Sequence, residues 1–149
     1  MMKLPIIAGT IVLAFAAEGV MAACATPSVQ VQDAALTSTL TNNTVCASRG
    51  GESWQEAHHS DGSLVDYKMG PSDAVDPTKQ VGTWLITGAG ASSAVTYTYG
   101  SGAYSYQVWD NQNGTYSFCG VDTIDFTISS GTGVSCPGAG GFGREIVAQ

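Results

Sequence analysis

The sequence predicts a mainly β protein: an antiparallel meander or small, partly open barrel with one short N-terminal helix. Three observations carry this. Apolar and polar residues alternate with a period of two from Thr44 to Ser129, the signature of half-buried strands. Turns rich in Gly and Asn interrupt that rhythm at short intervals. No segment supplies the helical crossovers that a parallel sheet requires.

The N-terminal residues set the compartment. Met1-Met2-Lys3 is a short positive start, residues 4–17 form an apolar run of 14, and Val20-Met21-Ala22-Ala23 is a small-residue cleavage site. This is the order of a secretory signal peptide, expected over residues 1–23. The apolar run is shorter than the roughly 20 residues a bilayer core needs, and Glu18 follows it directly. The expected location is therefore periplasmic or secreted, with no membrane contact after cleavage. Lipidation of Cys24 is the alternative, but it would leave Cys46, Cys119 and Cys136 as an odd set of thiols in an oxidising compartment.

What remains is one β domain by length, residues 24–136, followed by a Gly-rich flexible tail, 137–149. A net charge of −7 repels phosphate backbones and disfavours nucleic acid as a partner. The four cysteines allow three pairings, and the sequence does not choose among them. Cys46 with Cys119 is the favoured guess because both lie in strand-like segments, which leaves Cys24 with Cys136.

Residues 28–41 are the helical candidate. Val29, Asp33, Leu36 and Leu40 recur at helical spacing, Thr26 or Ser28 can cap the start, and Asn42-Asn43 ends it. A strand is expected over 44–47. A hairpin follows, with its turn centred on Asp61-Gly62 because Gly tolerates positive φ. That centring pairs His58 with Val65, Glu56 with Tyr67 and Trp54 with Met69 on the core face. Gln55, Ala57, His59, Leu64, Asp66 and Lys68 fall on the other face.

Residues 70–80 read as a surface loop and 81–87 as a strand. The next strands face inward through Val95, Tyr97 and Tyr99, then Tyr104, Tyr106 and Val108, then Tyr116 and Phe118. The last faces inward through Ile124, Phe126 and Ile128.

Known chemistries find little purchase. Gly138-Ala139-Gly140-Gly141-Phe142-Gly143 spells the dinucleotide-binding GxGxxG, but only six residues follow, too few for the helix that holds a pyrophosphate. No nucleophile elbow is present. Strand alternation points His58 and His59 to opposite faces, so one zinc ion does not take both, and the pair reads as part of a solvated hairpin tip. Asp110 to Gly114 lacks the acids of a calcium loop. No cofactor and no metal is expected. The residues left as ligand-binding candidates are Trp54, Glu56, His58, Tyr67 and Trp84. Glu56 beside Tyr67 on an apolar face would have a raised pKa or simply a hydrogen bond at the sheet rim. The tryptophans, Trp109 included, and the tyrosines would stack a ligand or pack the core.

Gly82-Thr83-Trp84, flanked by Val81 and Leu85-Ile86, resembles the G-x-W strand of lipocalin-like barrels, in which the Trp closes one barrel end. A wider set of motifs is similar to a group of small exported bacterial proteins of uncharacterised function. These motifs are Asn43-Thr44-Val45-Cys46, Trp54-Gln55-Glu56, Gly62-Ser63-Leu64, Asp66-Tyr67-Lys68 and Tyr116-Ser117-Phe118-Cys119. The resemblance implies a lipocalin-like sheet and brings no activity. The expected function is a non-catalytic binding or structural module for an unknown small ligand or protein. The alternatives are a lipocalin-like protease inhibitor inserting residues 23–29, and a small hydrolase using Glu56 and a histidine.

Overall fold

A computed structural model describes residues 24–50, 52–66, 79–134 and 136. The expected signal peptide, the tail 137–149 and Tyr67 lie outside these residues.

The chain runs β1 (Val29–Val31), α1 (Asp33–Leu40), β2 (Asn43–Arg49), β3 (Glu52–His58), β4 (Ser63–Asp66) and β5 (Lys79–Thr87). It continues through β6 (Ala94–Tyr99), β7 (Gly102–Asp110), β8 (Tyr116–Cys119) and β9 (Thr123–Ser130). Every pairing is antiparallel, and each strand from β2 to β8 pairs with its successor. Rather than staying partly open, the sheet closes, because β9 pairs back along β2 from Asn43↔Ser130 to Ala47↔Phe126. Eight strands thus form a barrel, a number whose interior side chains can nearly fill. The β3–β4 hairpin ahead of Trp84 supplies two of the eight strands.

The expected helix over 28–41 divides in two. Val29–Val31 is a short strand on β7, with Val29 opposite Asp110 and Val31 opposite Val108. Ser28 does not cap a helix; its hydroxyl donates to Asn111 Oδ1 at 2.9 Å. The helix itself starts at Asp33, whose carboxylate accepts from the Gly90 N–H and the Ser93 hydroxyl in the β5–β6 loop. Pairing to β7 gives these three residues strand hydrogen bonds in place of helical ones. Leu36 and Leu40 do face the core as the helical spacing requires. Both are fully buried in one cluster with Val45, Leu64, Trp84 and Val95. Helix α1 therefore closes the barrel end at which β2, β4 and β6 begin.

The β3–β4 hairpin differs from expectation by one residue. His59 N–H donates to the Ser63 carbonyl, so the turn is Ser60-Asp61-Gly62, three residues with Gly62 at φ 83°. Asp61 Oδ1 accepts from both the N–H and the hydroxyl of Ser63, which holds the longer turn. The register becomes His58↔Leu64, Ala57↔Val65 and Glu56↔Asp66. Side chains alternate across a strand, so one residue of slip exchanges its faces. Leu64 and Asp66 move to the barrel interior, and Val65 moves out.

Both guessed disulfides are also corrected: Cys24 bonds Cys119, and Cys46 bonds Cys136. Cys46 lies on β2 and Cys119 on β8, with β9 between them. Two strand spacings are about 9–10 Å, beyond the roughly 7 Å over which two Cα atoms can be bridged. The first bridge straps the segment before β1 to the outer wall. The second anchors the chain after β9, where the Cys136 N–H also donates to Gln55 Oε1 at 2.7 Å. Stable disulfides belong to oxidising compartments. No described helix is long and apolar enough to cross a membrane.

Candidate functional site

Alternation on β3 sends Trp54, Glu56 and His58 into the barrel, as the sequence predicts, and they meet two different environments there. His58 lies against the closed end. It is fully buried, not part of a solvated tip. Its ring stands edge-on to Trp84 and Tyr97, with centroids 5.1 and 5.5 Å away. Nδ1 is 3.0 Å from the Glu56 backbone carbonyl, and Nε2 is 2.8 Å from the Tyr97 hydroxyl. A carbonyl oxygen can only accept, so Nδ1 carries the proton and Tyr97 donates to Nε2. Burial holds the His58 pKa down at about 4, against the opposing pull of the Glu56 carbonyl. This imidazole is therefore neutral at pH 7.

Trp84 belongs to the same layer. Its indole N–H donates to the His59 carbonyl at 3.0 Å, tying β5 to the β3–β4 turn. Gly82, two residues earlier, passes so close to β6 that a side chain there would strike the Thr98 carbonyl. The three residues of the G-x-W segment thus have local structural reasons: close approach at Gly82, an outward Thr83, and a plug at Trp84.

Toward the other end, where β4 finishes and β5 starts, the interior is hollow. The cavity has a volume of about 420 Å³. Tyr99, Tyr104 and Tyr106 form one wall, and Trp54, Val45 and Ala47 form another. Between these walls stand two carboxylates, Glu56 and Asp66, cross-strand partners in the shifted register. The Tyr99 hydroxyl reaches over from β6 and donates to Glu56 Oε1 at 2.9 Å. Burial lifts the Glu56 pKa from 4.5 to about 7; the Tyr99 bond pulls it back, and Asp66 pushes it up further. Tyr99 is itself pushed well above its usual range, first by burial and then by Glu56. Among the described residues, no lysine or arginine lines the cavity.

Of the five candidate residues, Trp54 and Glu56 line this cavity, while His58 and Trp84 pack below it. Tyr67 lies outside the described residues, and Asp66 stands where Tyr67 was expected. The phenol that bonds Glu56 is Tyr99, from three strands away. Alternation placed Tyr97 and Tyr99 on the inner face, but no local signal says which strands an inner face will look across at. Trp109 stays outside, its indole N–H on Gln107 Oε1.

The remaining expectations meet these facts. Both ring nitrogens of His58 are engaged, so it makes no pair with the Glu56 carboxylate. The described part of the N-terminal arm is tied down by Cys24, Ser28 and β1. No group of three or more metal-ligating side chains converges among the described residues. A smaller hollow of about 260 Å³ lies between Ser48, Ser53, Thr127 and the Cys46–Cys136 bridge, and Asp125 also lines it.

No family model, no curated protein and no solved structure matches the chain.

Proposed function

We propose that this protein is an exported, non-catalytic binding module that takes a small, largely apolar ligand into its barrel. The observation that carries the reading is the 420 Å³ cavity walled by Tyr99, Tyr104, Tyr106 and Trp54, set above a packed and closed end. Its size falls in the range of roughly 300–1,000 Å³ of small-molecule sites, and a few polar groups within apolar walls are what such sites use for orientation. Export to the periplasm or beyond is supported by the leader-like N-terminus and by two disulfides.

Titration with the neutral fluorophore N-phenylnaphthylamine tests the reading. Saturable fluorescence enhancement is expected, together with quenching of Trp54. Ala47→Trp, which adds a large ring at the cavity wall, should weaken binding by about tenfold or more, ~1.4 kcal/mol. The reading fails if the wild type gives no saturable signal, or if a folded Ala47→Trp variant binds as well as the parent.

A further inference from the structure

Glu56 is a polar group that the barrel turns toward its hollow. Alternation on β3 points it inward, and its side chain stays partly accessible there rather than sealed in the core. Its Oε1 atom accepts the Tyr99 hydroxyl at 2.9 Å. Around it the cavity is walled by the rings of Trp54, Tyr97, Tyr104, Tyr106 and Phe118. A carboxylate among such rings lacks the hydration its charge needs, so the acid form is favoured. Burial accordingly lifts the Glu56 pKa to about 7; the Tyr99 bond opposes this, and Asp66 adds to it. Below that pH the group is a carboxylic acid, a hydrogen-bond donor as well as an acceptor. An acid kept neutral by its apolar surroundings is one way a protein places a donor in a buried site.

Resting on the binding-barrel reading, we infer that the ligand is an uncharged, ring-bearing molecule with a carbonyl group, and that the Glu56 carboxyl donates a hydrogen bond to that carbonyl oxygen. With Oε1 accepting from Tyr99, the acid hydrogen is carried by Oε2, the oxygen left for the ligand. The aromatic walls offer offset and edge-on contacts to a ring-bearing body. A pure hydrocarbon would fill the volume but strand the buried donor, and a stranded polar group costs more than a satisfied one gains. An anionic ligand would have to shed its hydration inside a protein of net charge −7. Ionisation of Glu56 removes the donor and sets a negative charge against the carbonyl oxygen, so binding weakens as pH rises through the Glu56 transition. The other titratable groups facing Glu56 are Asp66 on β4, Tyr97 and Tyr99 on β6, and Tyr104 and Tyr106 on β7, with Lys79 on β5 in register with Asp66. Tyr97, Tyr99 and Tyr106 are pushed up, first of all by burial, and stay protonated. His58, inward-facing two residues along β3, is neutral above about pH 4. The walls from β2, β8 and β9 present Val45, Ala47, Phe118 and Ile124, none of which titrates.

A ketone and a hydrocarbon of one shape, fluorenone and fluorene, test the inference. Each is titrated by displacement of N-phenylnaphthylamine, on either side of the Glu56 transition at about pH 6 and about pH 8.5. At the lower pH, fluorenone should bind about fivefold or more tighter than fluorene, the worth of one hydrogen bond. At the higher pH, that preference should shrink to about twofold or less, because most of the donor is then ionised. Glu56→Gln carries an amide that donates at any pH, so its preference should persist at both. Glu56→Met has no donor and should show no preference at either. Each preference is a ratio within one protein, and the wild-type pH series needs no variant. If the fluorophore binds but wild type shows no preference for the ketone at the lower pH, the carbonyl inference falls and the binding barrel stands. A proton held by Asp66 instead of the ligand would give that result. The inference also falls if the wild-type preference is unchanged at the higher pH, or if it survives in a folded Glu56→Met variant. If neither probe nor the fluorophore enters, the binding-barrel reading fails and the inference fails with it.

Discussion

The Nε2 atom of His58 lies 2.8 Å from the Tyr97 hydroxyl, at the level where the packed end of the barrel gives way to the cavity. Because Nδ1 is committed to the Glu56 carbonyl, Tyr97 is the donor for that nitrogen. Tyr97→Phe keeps the ring and strands a buried acceptor. The expected cost is about 1–3 kcal/mol, the desolvation of an unsatisfied polar group, read from urea denaturation near neutral pH. A loss below about 0.5 kcal/mol would mean that the bond contributes no more than ordinary surface contacts do.

Glu56 and His58 should give opposed pH dependences of stability. The folded pKa of Glu56 is raised from 4.5 to about 7, so between those values the folded chain keeps a proton that the unfolded chain releases. Stability then falls as pH rises through that window, by at most roughly 3 kcal/mol. The folded pKa of His58 is lowered from 6.5 to about 4, so the unfolded chain takes up a proton that the folded chain refuses. Its contribution is lost as pH falls through that window, again by up to roughly 3 kcal/mol. The two slopes offset between about pH 4.5 and 6.5. Glu56→Gln should remove one of them, so that stability rises with pH from 4 to 6.5. The other groups around the pair are Asp66, His59, Tyr97, Tyr99 and Tyr106, and the tyrosines stay protonated throughout. Denaturation midpoints across this range, compared between wild type and variant, check the sign.

The disulfides join residues 95 and 90 positions apart. Chain-entropy reasoning gives such long loops nearly equal weight, so Cys24→Ser/Cys119→Ser and Cys46→Ser/Cys136→Ser should each lose about 2–5 kcal/mol. Peptide mapping without reductant should recover Cys24 linked to Cys119 and Cys46 linked to Cys136. Any Cys46–Cys119 peptide would contradict the order of β2, β9 and β8.

Gly82→Ala should be far more damaging than its size suggests. The added methyl group would meet the Thr98 carbonyl on the neighbouring strand, a rigid obstacle. Gly114→Ala is the control, since it has the strained φ of 86° but open space around it. The expected order is a loss of about 2 kcal/mol or more at Gly82, exceeding that at Gly114, by thermal unfolding. Equal losses would show that the strands separate easily at this point.

Much of the fold was legible because its signals are local. The alternation of Tyr97, Tyr99, Tyr104, Tyr106 and Phe118 names the inner face without reference to any partner, and all five line the cavity. Leu36 and Leu40 announced the buried stripe of the helix in the same way. The candidate site was half legible. Trp54 and Glu56 were found because they share a face, whereas Asp66 was assigned to the wrong one. A two-residue turn at Asp61-Gly62 puts Asp66 outside, whereas the three-residue turn that includes Ser60 puts it inside. Tyr99 was missed as the partner of Glu56 because the two meet across the barrel, from strands 43 residues apart.

The amino-acid sequence by itself determined which side chains are apolar at every second position, that the strands run antiparallel, and that four thiols are present for two bridges. It could do so because period, composition and turn chemistry are properties of short stretches. Tertiary structure alone decided the closure of β9 onto β2, the pairing of the cysteines and the placing of Asp66 opposite Glu56. Those outcomes depend on which distant strands become neighbours, and on a hairpin register in which one residue of slip turns an outward carboxylate into an inward one.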